Sequence, residues 1–197
     1  MTYKEQDYSH LLGTPGFSDK LLQTHFKLYL GYVNNTNKLV DILGTMIKEG
    51  KAATPEFAEL KRRFGWEFNG MRLHELYFGN MSKEKKVLPA NSPLAKKMAE
   101  SLGSVEARMK AFTSVGSMRG IGWVVMYYDP IGDKLFNVWV NEHDVGHLAG
   151  AIPLLVMDVF EHAYITEYNT DKAAYITAFV NAIDWDVVQK RFAAVKR

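Results

Sequence analysis

Asp158 and His162 stand four residues apart in the stretch MDVFEHAY (157–164), directly after the apolar run Ile152-Pro153-Leu154-Leu155-Val156. A carboxylate and an imidazole leaving the core together can close a salt-bridged turn or supply two ligands to one metal ion. The chain has six histidines: His10, His25, His74, His143, His147 and His162. His25 falls on an apolar helical face, with Leu22, Tyr29 and Tyr32 at intervals of three and four, and His74 has Met71 three before it and Phe78 four after. A lone histidine on such a face is more often a hydrogen-bonded core residue than a ligand. Two of them on helices that pack as a hairpin, with Asp158 and His162, make three imidazoles and one carboxylate, a donor set that suits iron, manganese or zinc. Spacing alone leaves core histidines and a metal site both open. His10 lies in a polar leader and receives no role.

The elements that must carry these residues are legible in turn signals. A first helix is expected from about Ser18 to Lys48, ended by Gly50. A second opens at Thr54-Pro55, an N-cap with proline at the first helical position, and runs through the LHELYFGNM stretch. Together they form a helical hairpin. The polar segment Ser82–Asn91 reads as a linker; Ser92-Pro93 starts a short helix ended by Gly103, and Ser104 starts another. WVVMYY and KLFNVWV are strands joined by the turn Asp129-Pro130-Ile131-Gly132-Asp133, and PLLVMD is a third strand. Helices return at DKAAYITAFVNAI and WDVVQKRFAAV. The expected fold class is α+β: a long helical hairpin domain over 1–88, then an α/β domain with a three-stranded antiparallel sheet over 89–197.

Composition narrows the class of function. A hydrophobic content of 47% and an aromatic content of 13% are those of a packed globular chain. A net charge of +2 without a dense Lys/Arg block argues against nucleic acid as a partner. The absence of cysteine excludes disulfides and thiolate ligands, so a metal site must use nitrogen and oxygen donors. No stretch approaches the length of an apolar membrane span, and the charged MTYKEQDYSH opening is unlike a signal peptide, so a soluble, cytoplasmic protein with no membrane partner is expected.

Four blocks in order, HFKLYLGYVNNTN (25–37), LHELYFGNM (73–81), GIGWVV (120–125) and MDVFEHAY, with the closing Asp184-Trp185-Asp186, resemble the iron/manganese superoxide dismutase family. The resemblance implies that His25, His74, Asp158 and His162 bind one Fe or Mn ion per chain, with a solvent molecule as fifth ligand. It implies dismutation of superoxide to oxygen and hydrogen peroxide. It also implies that Trp123, Phe78, Tyr77 and Phe160 wall the site. Family members place a glutamine near the solvent at one of two positions; here these hold Gly70, which has no side chain, and His143. The resemblance therefore assigns His143 as donor to the solvent, linked to Tyr32 at the mouth, with His147 as the competing candidate. It further implies a homodimer joined through Glu161 and His162, or a tetramer.

Three departures set this chain apart. His25 and Tyr32 are seven residues apart, one fewer than is typical, and seven positions at about 100° each return to nearly the same helix face. A regular α-helix is therefore expected there, without a π-type bulge. Leu28 and Ile165 replace a polar pair that flanks the dimer contact in relatives, which predicts a more apolar rim. The position of a steering arginine holds Asp171, beside Lys172, while Lys27 matches the family's lysine near the mouth. Two other classes compete with the dismutase reading: a mononuclear non-haem iron oxygenase, disfavoured by the third histidine, and a non-catalytic metal-binding protein.

Overall fold

The computed structural model describes residues 2–195. Two long helices lead: α1 (Asp19–Lys48) and α2 (Pro55–Gly79). Each starts where its cap dictates, because Ser18 accepts a hydrogen bond from the Leu21 amide and Thr54 from the Phe57 amide, with Pro55 pre-set for the first turn. α1 is α-helical throughout, so His25, Tyr29 and Tyr32 point to one side of it, and it packs along α2 as an antiparallel hairpin. α3 (Pro93–Leu102) and α4 (Val105–Gly116) follow, capped by Ser92 and Ser104. Gly103 between them adopts a left-handed φ of 84°, which ends α3 without a Cβ penalty.

The sheet is antiparallel in the order β2-β1-β3, with β1 (Gly122–Asp129) central between β2 (Lys134–Asn141) and β3 (Ile152–Asp158). Every residue of β1 from Gly122 to Tyr128 is buried, because α2, α4 and α7 cover the sheet's faces and edge. The ladder sets Trp123 opposite Asp158 on one side and opposite Val140 on the other. A short α5 (Ile165–Tyr168), then α6 (Lys172–Asn181) and α7 (Trp185–Val195), complete the chain. α5 and the 3-10 turns Ser9–Leu11 and Glu161–Ala163 were not foreseen; pieces of three or four residues carry too little periodicity to be read.

One polar residue ties the hairpin to the sheet. Asn80, fully buried at the end of α2, accepts from the Val156 amide (2.9 Å) and donates to the Val156 carbonyl (3.2 Å), so its amide completes the free edge of β3. Arg191 of α7 then donates to Asn80 Oδ1, to the Leu154 carbonyl and to the Leu76 carbonyl in the last turn of α2. The helix that carries His74 is thereby locked to the strand that carries Asp158. Removing the amide strands two buried backbone groups, each worth about 1–3 kcal/mol. Asn80→Ala should therefore lower the unfolding free energy by roughly 3 kcal/mol in denaturant titration. A change below about 1 kcal/mol would mean that the tie is dispensable.

Candidate metal centre

His25, His74, Asp158 and His162 converge from four elements: α1, α2, the end of β3 and the turn that follows it. Their ligand atoms all lie within 4.8 Å of one another. The focus is one oxygen. His25 Nε2 is 3.1 Å from Asp158 Oδ2, His162 Nε2 is 3.2 Å from it and His74 Nε2 is 3.7 Å away. The other oxygen, Oδ1, accepts from the Phe160 amide (2.8 Å), and the Tyr175 hydroxyl donates to the Asp158 carbonyl (2.6 Å). The carboxylate is thus fixed with Oδ2 presented to the three imidazoles.

Burial and charge act in opposite directions here. Burial pushes the Asp158 carboxyl up, but the charge of His162 and the hydrogen bonds from His162 and His25 outweigh it and hold the group well below the usual carboxylate range. Burial lowers His25 against the pull of Asp158, and burial together with neighbouring His25 lowers His74 further, so the ligand imidazoles on the hairpin are neutral. Neutral imidazole is the form that binds a metal.

The residues fit an ion on direct structural grounds. His74 Nδ1 donates to the Gly70 carbonyl (2.6 Å), which leaves its Nε2 bare, buried and without a hydrogen-bond partner. That lone pair faces the lone pairs of Asp158 Oδ2, an arrangement that calls for a cation between them. Nitrogen and oxygen ligands about 2.1 Å from an ion stand roughly 3.0–3.7 Å apart when they subtend about 90–120° at it. The three distances to Oδ2 fall in that range.

Around the cluster lie the aromatic residues named from sequence. Phe78 and Tyr77 pack on His25 at 4.9 and 5.4 Å, Trp123 meets His74 edge-on at 5.0 Å, and Phe160 stacks on His162 at 5.1 Å. Tyr32 stacks on His74 (5.1 Å, 28°), which it can do because residue 70 is glycine. A Cβ on Gly70 would sit 2.5 Å from the Tyr32 ring.

His143 is fully buried between these groups. Trp123 Nε1 donates to its Nδ1 (3.0 Å), so its single proton resides on Nε2, which points at Tyr32 Oη (2.8 Å). Both ring nitrogens of His143 are thus engaged, Nδ1 by Trp123 and Nε2 by Tyr32. His147 does not reach the cluster. Its Nε2 donates to the His143 carbonyl (2.9 Å) and its Nδ1 accepts from the Tyr127 hydroxyl (2.7 Å), so it braces the loop that carries His143. Lys27 and His10 are exposed. Asp171 caps α6 by accepting from the Ala174 amide, and Lys172 donates to the Met118 carbonyl. Sequence reasoning missed Trp66 and Tyr175. Trp66 had a signal, since 66, 70 and 74 are spaced by one helical turn.

Residues 90–191 match the family model for iron/manganese superoxide dismutases, C-terminal domain. The chain is 34% identical over 182 residues to a superoxide dismutase [Fe] of Aquifex pyrophilus, covering 90% of this chain and 84% of that protein. It is 33% identical over 179 residues to superoxide dismutase [Mn] 2 of Haloferax volcanii, covering 90% and 88%, and 30% identical over 189 residues to a superoxide dismutase [Fe] of Pyrobaculum aerophilum, covering 93% and 88%. The chain belongs to the iron/manganese superoxide dismutase family.

Two tests follow from the geometry. Gly70→Ala should displace the Tyr32 ring and reduce metal retention or turnover about tenfold; an alanine variant with unaltered Tyr32 packing and unaltered metal content would contradict the close approach. Burial lowers His143 to about 4, against about 6.5 in an unfolded chain. Below pH 6.5 the unfolded state therefore binds more protons, and the stability contributed above that pH is lost as pH falls toward 4, by roughly 3 kcal/mol in all. His143→Gln should flatten that acid limb in denaturant titrations of the metal-free protein, and an unchanged limb would count against a buried neutral imidazole.

Proposed function

We propose that this chain is a superoxide dismutase that uses one Fe or Mn ion, held by His25, His74, Asp158 and His162. The observation that carries the reading is the convergence of three imidazole nitrogens on one oxygen of a buried carboxylate, in a chain of this family. A redox-active ion bound there would supply the one-electron exchange that oxidises one superoxide to oxygen and reduces a second to peroxide. Three neutral imidazoles and one carboxylate leave a divalent or trivalent site with net positive charge, which favours an anionic substrate.

The protein's own groups supply placement and protons. Asp158 and His162 leave the sheet on one turn, while His25 and His74 arrive on the hairpin, so the donor set is held by elements that are themselves locked together. Tyr32 Oη accepts the His143 proton and keeps its own hydroxyl proton for the substrate side, where peroxide requires protons. Burial, then the charges of Asp158 and Glu67, raise the Tyr32 phenol, so it stays protonated and able to donate in neutral solution. Phe78, Trp123 and Phe160 exclude bulk water from the walls.

The same reading includes a homodimer through Glu161 and His162, with a tetramer as the larger alternative, and a cytoplasmic setting to be checked by cell fractionation. His162 supports the dimer, because it is the one member of the cluster whose side chain is partly accessible, at 25%, against 0–1% for the others. Leu28 and Ile165 are exposed apolar residues on the single chain, at 39% and 41%, as an apolar rim would require. Among the described residues no helix is long and apolar enough to cross a membrane.

The test is superoxide decay after separate reconstitution with iron and manganese. Decay that greatly exceeds the metal present, with oxygen and peroxide formed together, is expected for one metal or both. Full occupancy with spontaneous decay only would replace the reading with a non-catalytic metal site, and oxygen uptake that needs a cosubstrate would point to an oxygenase. Glu161→Ala should yield monomers or lose metal by size exclusion and mass spectrometry; an active dimer with full metal would remove Glu161 from the interface.

A further inference from the structure

Trp66 lies one helical turn before Gly70 and two before His74 on the side of α2 that faces the cluster. Its ring meets the His143 imidazole at 4.4 Å, edge to face, and the Tyr32 ring at 5.6 Å. Arg63 stacks over the indole with its guanidinium carbon 3.9 Å from the ring centre, and is itself held by buried Glu67 at 2.7–2.8 Å. The indole Nε1 donates to Glu142 Oε2 at 3.1 Å. Glu142 is the residue before His143 and one of few non-glycine residues with positive φ, at 50°. That left-handed turn at the end of β2 directs His143 inward, and its cost has to be met by surrounding contacts.

We propose that Trp66, pinned between Arg63 and Glu142, is a positioning residue that fixes the His143 imidazole and Tyr32 at the mouth of the metal cluster. Two links carry this. The Trp66 ring packs edge to face with His143 while Phe160 stacks on the same imidazole (4.8 Å, 28°), so two rings restrict its rotation. The indole–carboxylate hydrogen bond joins α2 to the loop that carries His143, so the hairpin that supplies His74 and the loop that supplies the Tyr32 partner move as one piece. Trp66 is not a member of the four-residue cluster, and its ring contacts are with His143 and Tyr32, through which it acts.

The proposal rests on the dismutase reading for its consequence in turnover, but its structural content is testable without it. Trp66→Ala, Trp66→Phe and Glu142→Ala would be made in the full chain. Zinc, diamagnetic and redox-silent, would be the probe ion, and the imidazole nitrogens of His143 would be followed by NMR. In the parent chain the two nitrogens should be well separated, as for a fixed Nε2–H tautomer. In Trp66→Ala they should move toward each other as the tautomers average, at unchanged zinc content, while Trp66→Phe restores most of the separation and Glu142→Ala gives a smaller shift in the same direction. With iron or manganese bound, Trp66→Ala should also reduce turnover about tenfold and move the midpoint potential of the metal. Unchanged nitrogen signals in Trp66→Ala and Glu142→Ala would overturn the proposal, and so would loss of zinc from both, which would make Trp66 a folding residue. A parent chain with fixed His143 signals but no superoxide turnover would defeat the dismutase reading and leave the positioning role standing.

Discussion

The approach of three imidazole nitrogens to one oxygen of Asp158 is the constraint around which the rest of the fold is organised. A buried carboxylate is unfavourable unless its charge is met. Here His25 of α1 and His162 of the turn after β3 stand within hydrogen-bond reach of it, and His74 of α2 faces it with a bare Nε2, so those elements must come together for the site to exist. The side chain cannot rotate away, because Phe160 holds Oδ1 and Tyr175 holds the carbonyl. The β1–β3 register then delivers Trp123 beside it. Backbone pairing in the sheet therefore fixes both a ligand and a wall of the site.

Around that centre runs a line of single-proton hydrogen bonds whose direction is set by chemistry. Indole can only donate, so Trp123 makes His143 Nδ1 an acceptor. A neutral imidazole then has one N–H left, on Nε2, and donates it in a hydrogen bond to Tyr32 Oη. A carboxamide at the same place would carry two protons on one nitrogen and could serve two partners. A histidine cannot, and its one remaining donor is committed to Tyr32. Gly70 is the complement of this choice: with no side chain there, the Tyr32 ring lies flat against His74.

Local features of this fold were legible from sequence, and features that depend on distant contact were not. Ser18, Thr54-Pro55, Ser92-Pro93 and Ser104 announce helix starts because each cap acts on an amide three residues away. The seven-residue step from His25 to Tyr32 implied an uninterrupted helix, and α1 has one. The family resemblance supplied the four convergent residues, which spacing alone had left undecided between ligands and core. By contrast, Asn80 meets Val156 and Trp66 meets Glu142 across 76 residues in each case, and no local pattern encodes either pairing. Which of His143 and His147 lies against Tyr32 also needed tertiary structure, since both lie on one loop and only the first meets the Tyr32 hydroxyl.

The central claim is that these four side chains hold one redox-active ion. Anomalous X-ray scattering at the manganese or iron edge, on crystals of the chain loaded with that metal, tests it most directly. The account predicts a strong peak bounded by Nε2 of His25, His74 and His162 and by Oδ2 of Asp158, lost in Asp158→Asn. A peak elsewhere, or a peak in which Asp158 takes no part, would contradict it.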